Sequence, residues 1–96
     1  MLNDIHTATT SAIVLKQLQT VPVHIAEKLY TWIKQVKLLG LSETRKIKGY
    51  HDEPLKGDRD NQRSIRLNKA YRAIYVIKKV KTIKFAEIKE VNKHDY

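Results

Sequence analysis

Residues 49 to 67, GYHDEPLKGDRDNQRSIRL, gather carboxylates, a histidine, a lysine and three arginines around one proline and two glycines. Such side chains can hold an anion, take up a proton or deliver one, and they can also make an ordinary solvated loop. A second feature is Arg72 within AYRAIYVI. Strand alternation sets Arg72 on the side of Ile74 and Val76, opposite Tyr71, Ala73, Tyr75 and Ile77. A guanidinium in mid-strand, flanked by residues that read as buried, is costly unless it meets an anion. Arg72 is therefore expected either to pair with Glu53 or another acid, or to face a cleft that receives a phosphate; the cleft is the preferred reading. His6, His24, His51 and His94 show no ligand spacing, and His51-x-Glu53 is too short and solitary to bind a metal. With no cysteine in the chain, thiolate sites and disulfides are out of reach.

These residues need elements to position them. From Pro22 to Leu39 the apolar residues Ile25, Leu29, Trp32, Ile33 and Val36 recur at helical spacing. Pro22 falls in the first turn, where a missing N–H costs nothing, and Gly40 follows as a C-cap. A shorter helix over about Thr10 to Gln19, with Ala12, Val14, Leu15 and Leu18 inward, would complete a helical hairpin around TVP. Trp32 and Tyr30 read as core and rim residues of this hairpin, not as a stacking platform for bases.

After residue 62 the period changes to two. SIRLN and AYRAIYVI read as strands joined by a short turn at Asn68 and Lys69. KKVK makes the next connection, and TIKFAEIKEV forms a third strand whose inward set runs Ile83, Phe85 and then Ile88, a phase shift that predicts a bulge. LNDIHTA is a weaker first strand, carried only by Leu2 and Ile5. Helices followed by an antiparallel meander predict an α+β fold, a helical hairpin on one face of a small, mainly antiparallel sheet with the other face partly open.

Composition narrows the function. At 96 residues the chain is expected to be one domain over its whole length, with a core too small for large internal pockets. It carries 42% hydrophobic and 30% charged residues, which fits a folded soluble domain. No apolar run approaches the roughly 18 residues of a membrane span, and MLNDIHTATTSAIVL has no basic leader, so a cytoplasmic protein is expected. Of the formal net charge of +9, residues 45–96 hold nearly all, with fifteen bases against seven acids. A field concentrated in one half of a chain attracts polyanions and speeds their capture. The lysines at 78, 79, 81 and 84 alternate with strand-type residues, which does not make the amphipathic helix of a membrane-surface binder.

EPLKGD, then RSIRL, then AYRAIYVI, then a terminal NKHDY resembles, in that order, the RelE/HigB/YoeB superfamily of toxins from bacterial type II toxin–antitoxin systems. The resemblance implies a small ribonuclease that cuts messenger RNA in the ribosome without metal or other cofactor, and an acidic antitoxin as partner. In that chemistry the RNA 2′-hydroxyl is the nucleophile. A base removes its proton, cations stabilise the phosphate as charge builds, and an acid protonates the leaving 5′ oxygen. The resemblance assigns Glu53 as base, Lys56 of PLKG as a phosphate contact, and Arg72 of the YR pair as the principal phosphate cation, for which a fixed guanidinium fork is suited. Arg66 on the neighbouring strand is expected to join it, and Arg59, Arg63 and Lys79 are expected to contact RNA from the surrounding surface. Family members end in histidine before a last tyrosine, or in Asp-Tyr-His, whereas this sequence reads His94-Asp95-Tyr96. Tyr96 fits the terminal aromatic that stacks on a base, and the acid is either His94 or Asp95.

Three classes of function follow: a ribosome-dependent endoribonuclease, a ParE-like toxin that binds DNA gyrase, and a non-catalytic RNA-binding domain. Glu53 separates the first from the others, because binding a polyanion gains nothing from a carboxylate.

Overall fold

The computed structural model describes residues 4–59 and 61–93. In chain order the elements are β1 (Ala8–Thr10), α1 (Ala12–Gln17), α2 (Val23–Leu39), α3 (Leu41–Thr44), β2 (Glu53–Pro54), β3 (Gln62–Arg66), β4 (Tyr71–Val80) and β5 (Ile83–Lys93), with single 3₁₀ turns at Lys48–Tyr50 and Gly57–Arg59. The five strands lie in the order β1-β5-β4-β3-β2. β1 runs parallel to β5, and every other neighbour is antiparallel. This is the expected α+β arrangement of helices on one face of a mainly antiparallel sheet.

The core forms where the two periodicities meet. α2 presents Ile25, Leu29, Trp32 and Val36, all fully buried, to Ile65, Ala73, Tyr75, Ala86, Ile88 and Val91 of the sheet. The Trp32 and Tyr75 rings pack with centroids 5.1 Å apart and planes tilted by 46°. Such aromatic pairs add about 0.5–1.5 kcal/mol beyond the area they bury. α2 ends at Gly40, whose φ of +84° turns the chain into α3; a Cβ there would come within 2.2 Å of the Asp4 carboxylate.

Several boundaries differ from those read in the sequence. The first strand among the described residues is Ala8–Thr10; of the two residues on which a strand over LNDIHTA rested, Leu2 lies outside the described residues, and Ile5, with Asp4, is engaged elsewhere. The Ile5 carbonyl accepts from the Leu41 N–H, and the Asp4 carboxylate accepts from the backbone and hydroxyl of Ser42. Pro22 is the N-cap of α2, one position before the first turn. α1 is only 6 residues long and leaves Leu15 exposed. It rests on β5, where the Gln17 side chain accepts from the Val91 N–H at 2.7 Å. KKVK is no connection: β4 continues through Lys78–Val80, and the turn falls at Lys81 and Thr82, with Lys81 at φ +56°.

The bulge exists, four residues beyond Phe85. Ile74 pairs with Glu90 but Tyr75 pairs with Ile88, so Lys89 is the extra residue. The inward set is accordingly Ala86, Ile88 and Val91, while Ile83 is exposed and Phe85 half-buried. A regular strand with Ile88 inward would turn Glu90 inward too; the extra residue turns Glu90 and Asn92 to the face that, among the described residues, no helix covers. Among the described residues no helix is long and apolar enough to cross a membrane.

Candidate functional site

Register decides which side chains share the uncovered face. Cross-strand partners point to the same side, and β3 and β4 pair Arg66 with Arg72, Ser64 with Ile74 and Gln62 with Val76. β2 sets Glu53 beside Ser64, and β5 sets Asn92 beside Arg72 and Glu90 beside Ile74. Leu55, Arg59, Ser64, Arg72, Ile74 and Asn92 line a shallow hollow of about 190 Å³ in this face.

At its centre Arg72 donates through Nη1 to the Ser64 hydroxyl at 3.2 Å and reaches the Glu53 carboxylate at 3.4 Å. The sequence offered two alternatives for Arg72, an acid or a cleft, and the structure supplies both. Arg72 keeps 19% of its side chain exposed and Glu53 keeps 58%, so the pair is open to an incoming group. A pair this exposed contributes at most about 1 kcal/mol to stability, so the fold does not depend on it. Arg66 sits directly across from Arg72 and has no acidic partner among the described residues. Two guanidinium groups opposite one another repel, and a shared anion removes that repulsion.

The remaining predicted residues are distributed differently. Arg59, on the 3₁₀ turn after β2, borders the hollow and pairs with Glu90. Lys56 is exposed in the loop after Leu55, at the edge of the site and outside the hollow's lining. Lys79 is not brought to the site. It lies near the far end of the β4–β5 hairpin beside Lys84, seven residues from Arg72 and thus on the opposite face of the strand. Arg63 is set apart as well. It faces the helices, where its Nε donates to the Asp52 carboxylate at 2.6 Å. His94, Asp95 and Tyr96 lie outside the described residues.

Arg63 belongs to a group that the sequence reading did not identify. The Asp52 side chain is fully buried, and its second oxygen accepts from the Tyr75 hydroxyl at 2.5 Å. Arg45 donates to the same hydroxyl at 3.3 Å. Burial works against the charge on Arg63, but the hydrogen bond and the charge of Asp52 outweigh it and raise the guanidinium pKa further. The available signal was the register: Arg63 lies opposite Tyr75 on the core side of the β3–β4 ladder. Among the described residues no three His, Asp or Glu side chains converge as metal ligands.

Burial, then the hydrogen bond and charge of Asp52, push the Tyr75 phenol up from 10.0 to about 12. Below pH 10 both folded and unfolded chains keep the proton. Between about pH 10 and 12 only the unfolded chain releases it, so stability falls as pH rises, by up to about 3 kcal/mol across the window. Tyr75→Phe should show a flatter decline of its urea midpoint above pH 9.5 than the parent protein. Parallel declines would show that this phenol ionises alike in both states.

No protein-family model and no curated protein matches the chain. Solved structures do. The YoeB/ParE toxin from Agrobacterium tumefaciens superposes with a TM-score of 0.68 at 18% identity, over 93% of this chain and 99% of that one. An archaeal RelE–RelB complex from Pyrococcus horikoshii OT3 gives 0.68 at 19% identity, over 92% and 93%. A metal-bound toxin from Helicobacter pylori gives 0.67 at 22% identity, over 94% and 96%. The chain therefore has the fold of the RelE-like toxins.

Proposed function

We propose that this chain, built on the RelE-like toxin fold, is the toxin of a type II toxin–antitoxin pair, an endoribonuclease that cuts messenger RNA on the ribosome in the cytoplasm. The observation that carries the reading is the meeting of Glu53 and Arg72, 3.4 Å apart on the uncovered face of a strongly basic sheet. A surface that only binds a polyanion is weakened by a carboxylate set beside its principal cation. A surface that cleaves RNA can use one there as a general base.

In this reading Glu53 removes the proton from the 2′-hydroxyl, whose oxygen attacks the adjacent phosphorus while the bond to the 5′ oxygen breaks. Arg72 and Arg66 hold the phosphate as negative charge develops, and Lys56 approaches from the loop. The leaving oxygen takes its proton from His94 or Asp95, and Tyr96 stacks on a base. Arg59 adds attraction for RNA around the hollow. The Pyrococcus relative was solved with RelB; the partner proposed for this chain is an acidic antitoxin that neutralises the basic half.

Expression of the chain alone is expected to arrest growth, with breaks in translated messages found by primer extension, and co-expression of the antitoxin should restore growth. Intact transcripts during arrest would overturn the ribonuclease reading and leave the gyrase-binding one, which requires the surface but no base.

A further inference from the structure

The catalytic assignment leaves a physical difficulty: Glu53 stands on a strand of two residues at the edge of the sheet, one of them a proline with no N–H to donate. Only short pairing with Ser64 and Arg63, and a bond from the Leu55 N–H to the Gln62 carbonyl at 2.9 Å, tie this segment to β3. Yet a general base must be held to within a fraction of an ångström to work well.

The residue that precedes Glu53 supplies the hold. His51 takes a left-handed conformation at φ +46° just before this segment; in the extended backbone that follows, Asp52 faces the helix side and Glu53 the uncovered side. Asp52 is gripped there by both strands that carry the site. Arg63 of β3 donates to one carboxylate oxygen at 2.6 Å and to the Asp52 carbonyl at 3.5 Å, and Tyr75 of β4 donates to the other oxygen at 2.5 Å. Arg63 and Tyr75 are themselves register partners, one residue from Ser64 and three residues from Arg72 respectively.

We propose that Asp52, Arg63 and Tyr75 form a positioning clamp that works through the sheet, holding Glu53 against Arg72 on the opposite face. None of the three touches the RNA; they set where the base stands. The proposal rests on the ribonuclease reading for its kinetic consequence and on the geometry alone for its structural one.

Both are tested with Asp52→Asn and Tyr75→Phe, assayed below their melting temperatures. On programmed ribosomes Asp52→Asn should lower the saturating single-turnover rate about tenfold or more while the concentration for half-saturation stays within about twofold. Tyr75→Phe, which keeps the Arg63 contact, should lose less. In the isolated protein, amide exchange at Leu55 should quicken in Asp52→Asn while the β4–β5 ladder keeps its protection, and the Glu53 carboxyl resonance should move. A folded Asp52→Asn variant with parental rate, unchanged Leu55 exchange and an unmoved Glu53 resonance would overturn the clamp. Equal loss of protection at every amide would also overturn it, since the group would then serve stability alone. If the parent protein itself fails to cleave, the ribonuclease reading falls and the exchange and resonance measurements alone decide the clamp.

Discussion

Arg72→Ala is expected to slow cleavage of ribosome-bound message by about a hundred- to a thousand-fold, a loss on the order of 2.7–4 kcal/mol of transition-state stabilisation. Arg72 occupies the centre of the uncovered face, fixed between Ser64 and Glu53, so its charge is already aimed where the phosphate would lie. Removing it leaves Arg66, across the ladder and without the Ser64 hydrogen bond, and Arg59 at the border of the hollow. The buried Ser64 hydroxyl also loses a partner, which costs stability of about 1 kcal/mol, so melting must be followed alongside the rate. Arg72→Lys separates charge from shape: a point charge retains attraction for RNA but not the planar fork, and it should recover binding more than rate. An Arg72→Ala protein that cleaves within a few-fold of the parent would remove Arg72 from the chemistry.

Glu53→Gln should be equally severe in rate and nearly silent in everything else. The substitution keeps size, exchanges the carboxylate for a neutral amide and removes the ability to accept the 2′-hydroxyl proton, a function worth about 10²–10⁴ in rate. More than half of the Glu53 side chain is in solvent, so thermal stability should hardly change. Ribosome affinity should stay the same or rise slightly, because one negative charge leaves the surface that meets a polyanion. The decisive comparison is the single-turnover rate at saturating ribosome. If the bound variant cleaves at the parental rate, Glu53 is not the base, and electrostatics and positioning by Arg72 and its neighbours must supply the catalysis.

How far the site was legible depended on one count in one turn. α2 announced itself through a clean helical period, and Arg72 through the cost of a charge in an apolar strand; both are where periodicity puts them. The neighbours of Arg72 were harder. A two-residue turn at Asn68 and Lys69 would have set Arg66 opposite Tyr71. The actual loop spans Leu67 to Ala70, closed by the Asn68 side chain, which accepts from the Ala70 and Tyr71 N–H groups at 2.7 and 2.8 Å, and it sets Arg66 opposite Arg72. A slip of one residue exchanges the faces of a strand, so the same count placed Arg63 beside Asp52 and Tyr75 and not with the other arginines. The bulge in β5 was detectable as a phase shift but misplaced, because Ile83 and Phe85 are apolar residues on the uncovered side and mimic a core pattern. Asp52 had no local signal: in a segment crowded with charges, nothing short of the strand register distinguishes a buried carboxylate from a solvated one.

β1 carries a consequence for biosynthesis. Among the described residues its only ladder partner is β5, with Ala8, Thr9 and Thr10 beside Ala86, Glu87 and Ile88, and the Ser11 N–H bonded to the Ile88 carbonyl. Translation proceeds from the N-terminus, so β1 and the helices exist as a nascent chain long before anything is available to pair with them. Pairing across so great a length of sequence must meet its closure entropy before any contact rewards it. Until β5 is made, β4 has an open edge, the core lacks Ala86, Ile88 and Val91, and Arg72 stands on a half-built sheet without Asn92 and Glu90 beside it. Completion of the fifth strand therefore closes the fold and adds Asn92 and Glu90 to the arginine face, and a polypeptide interrupted before it lacks both.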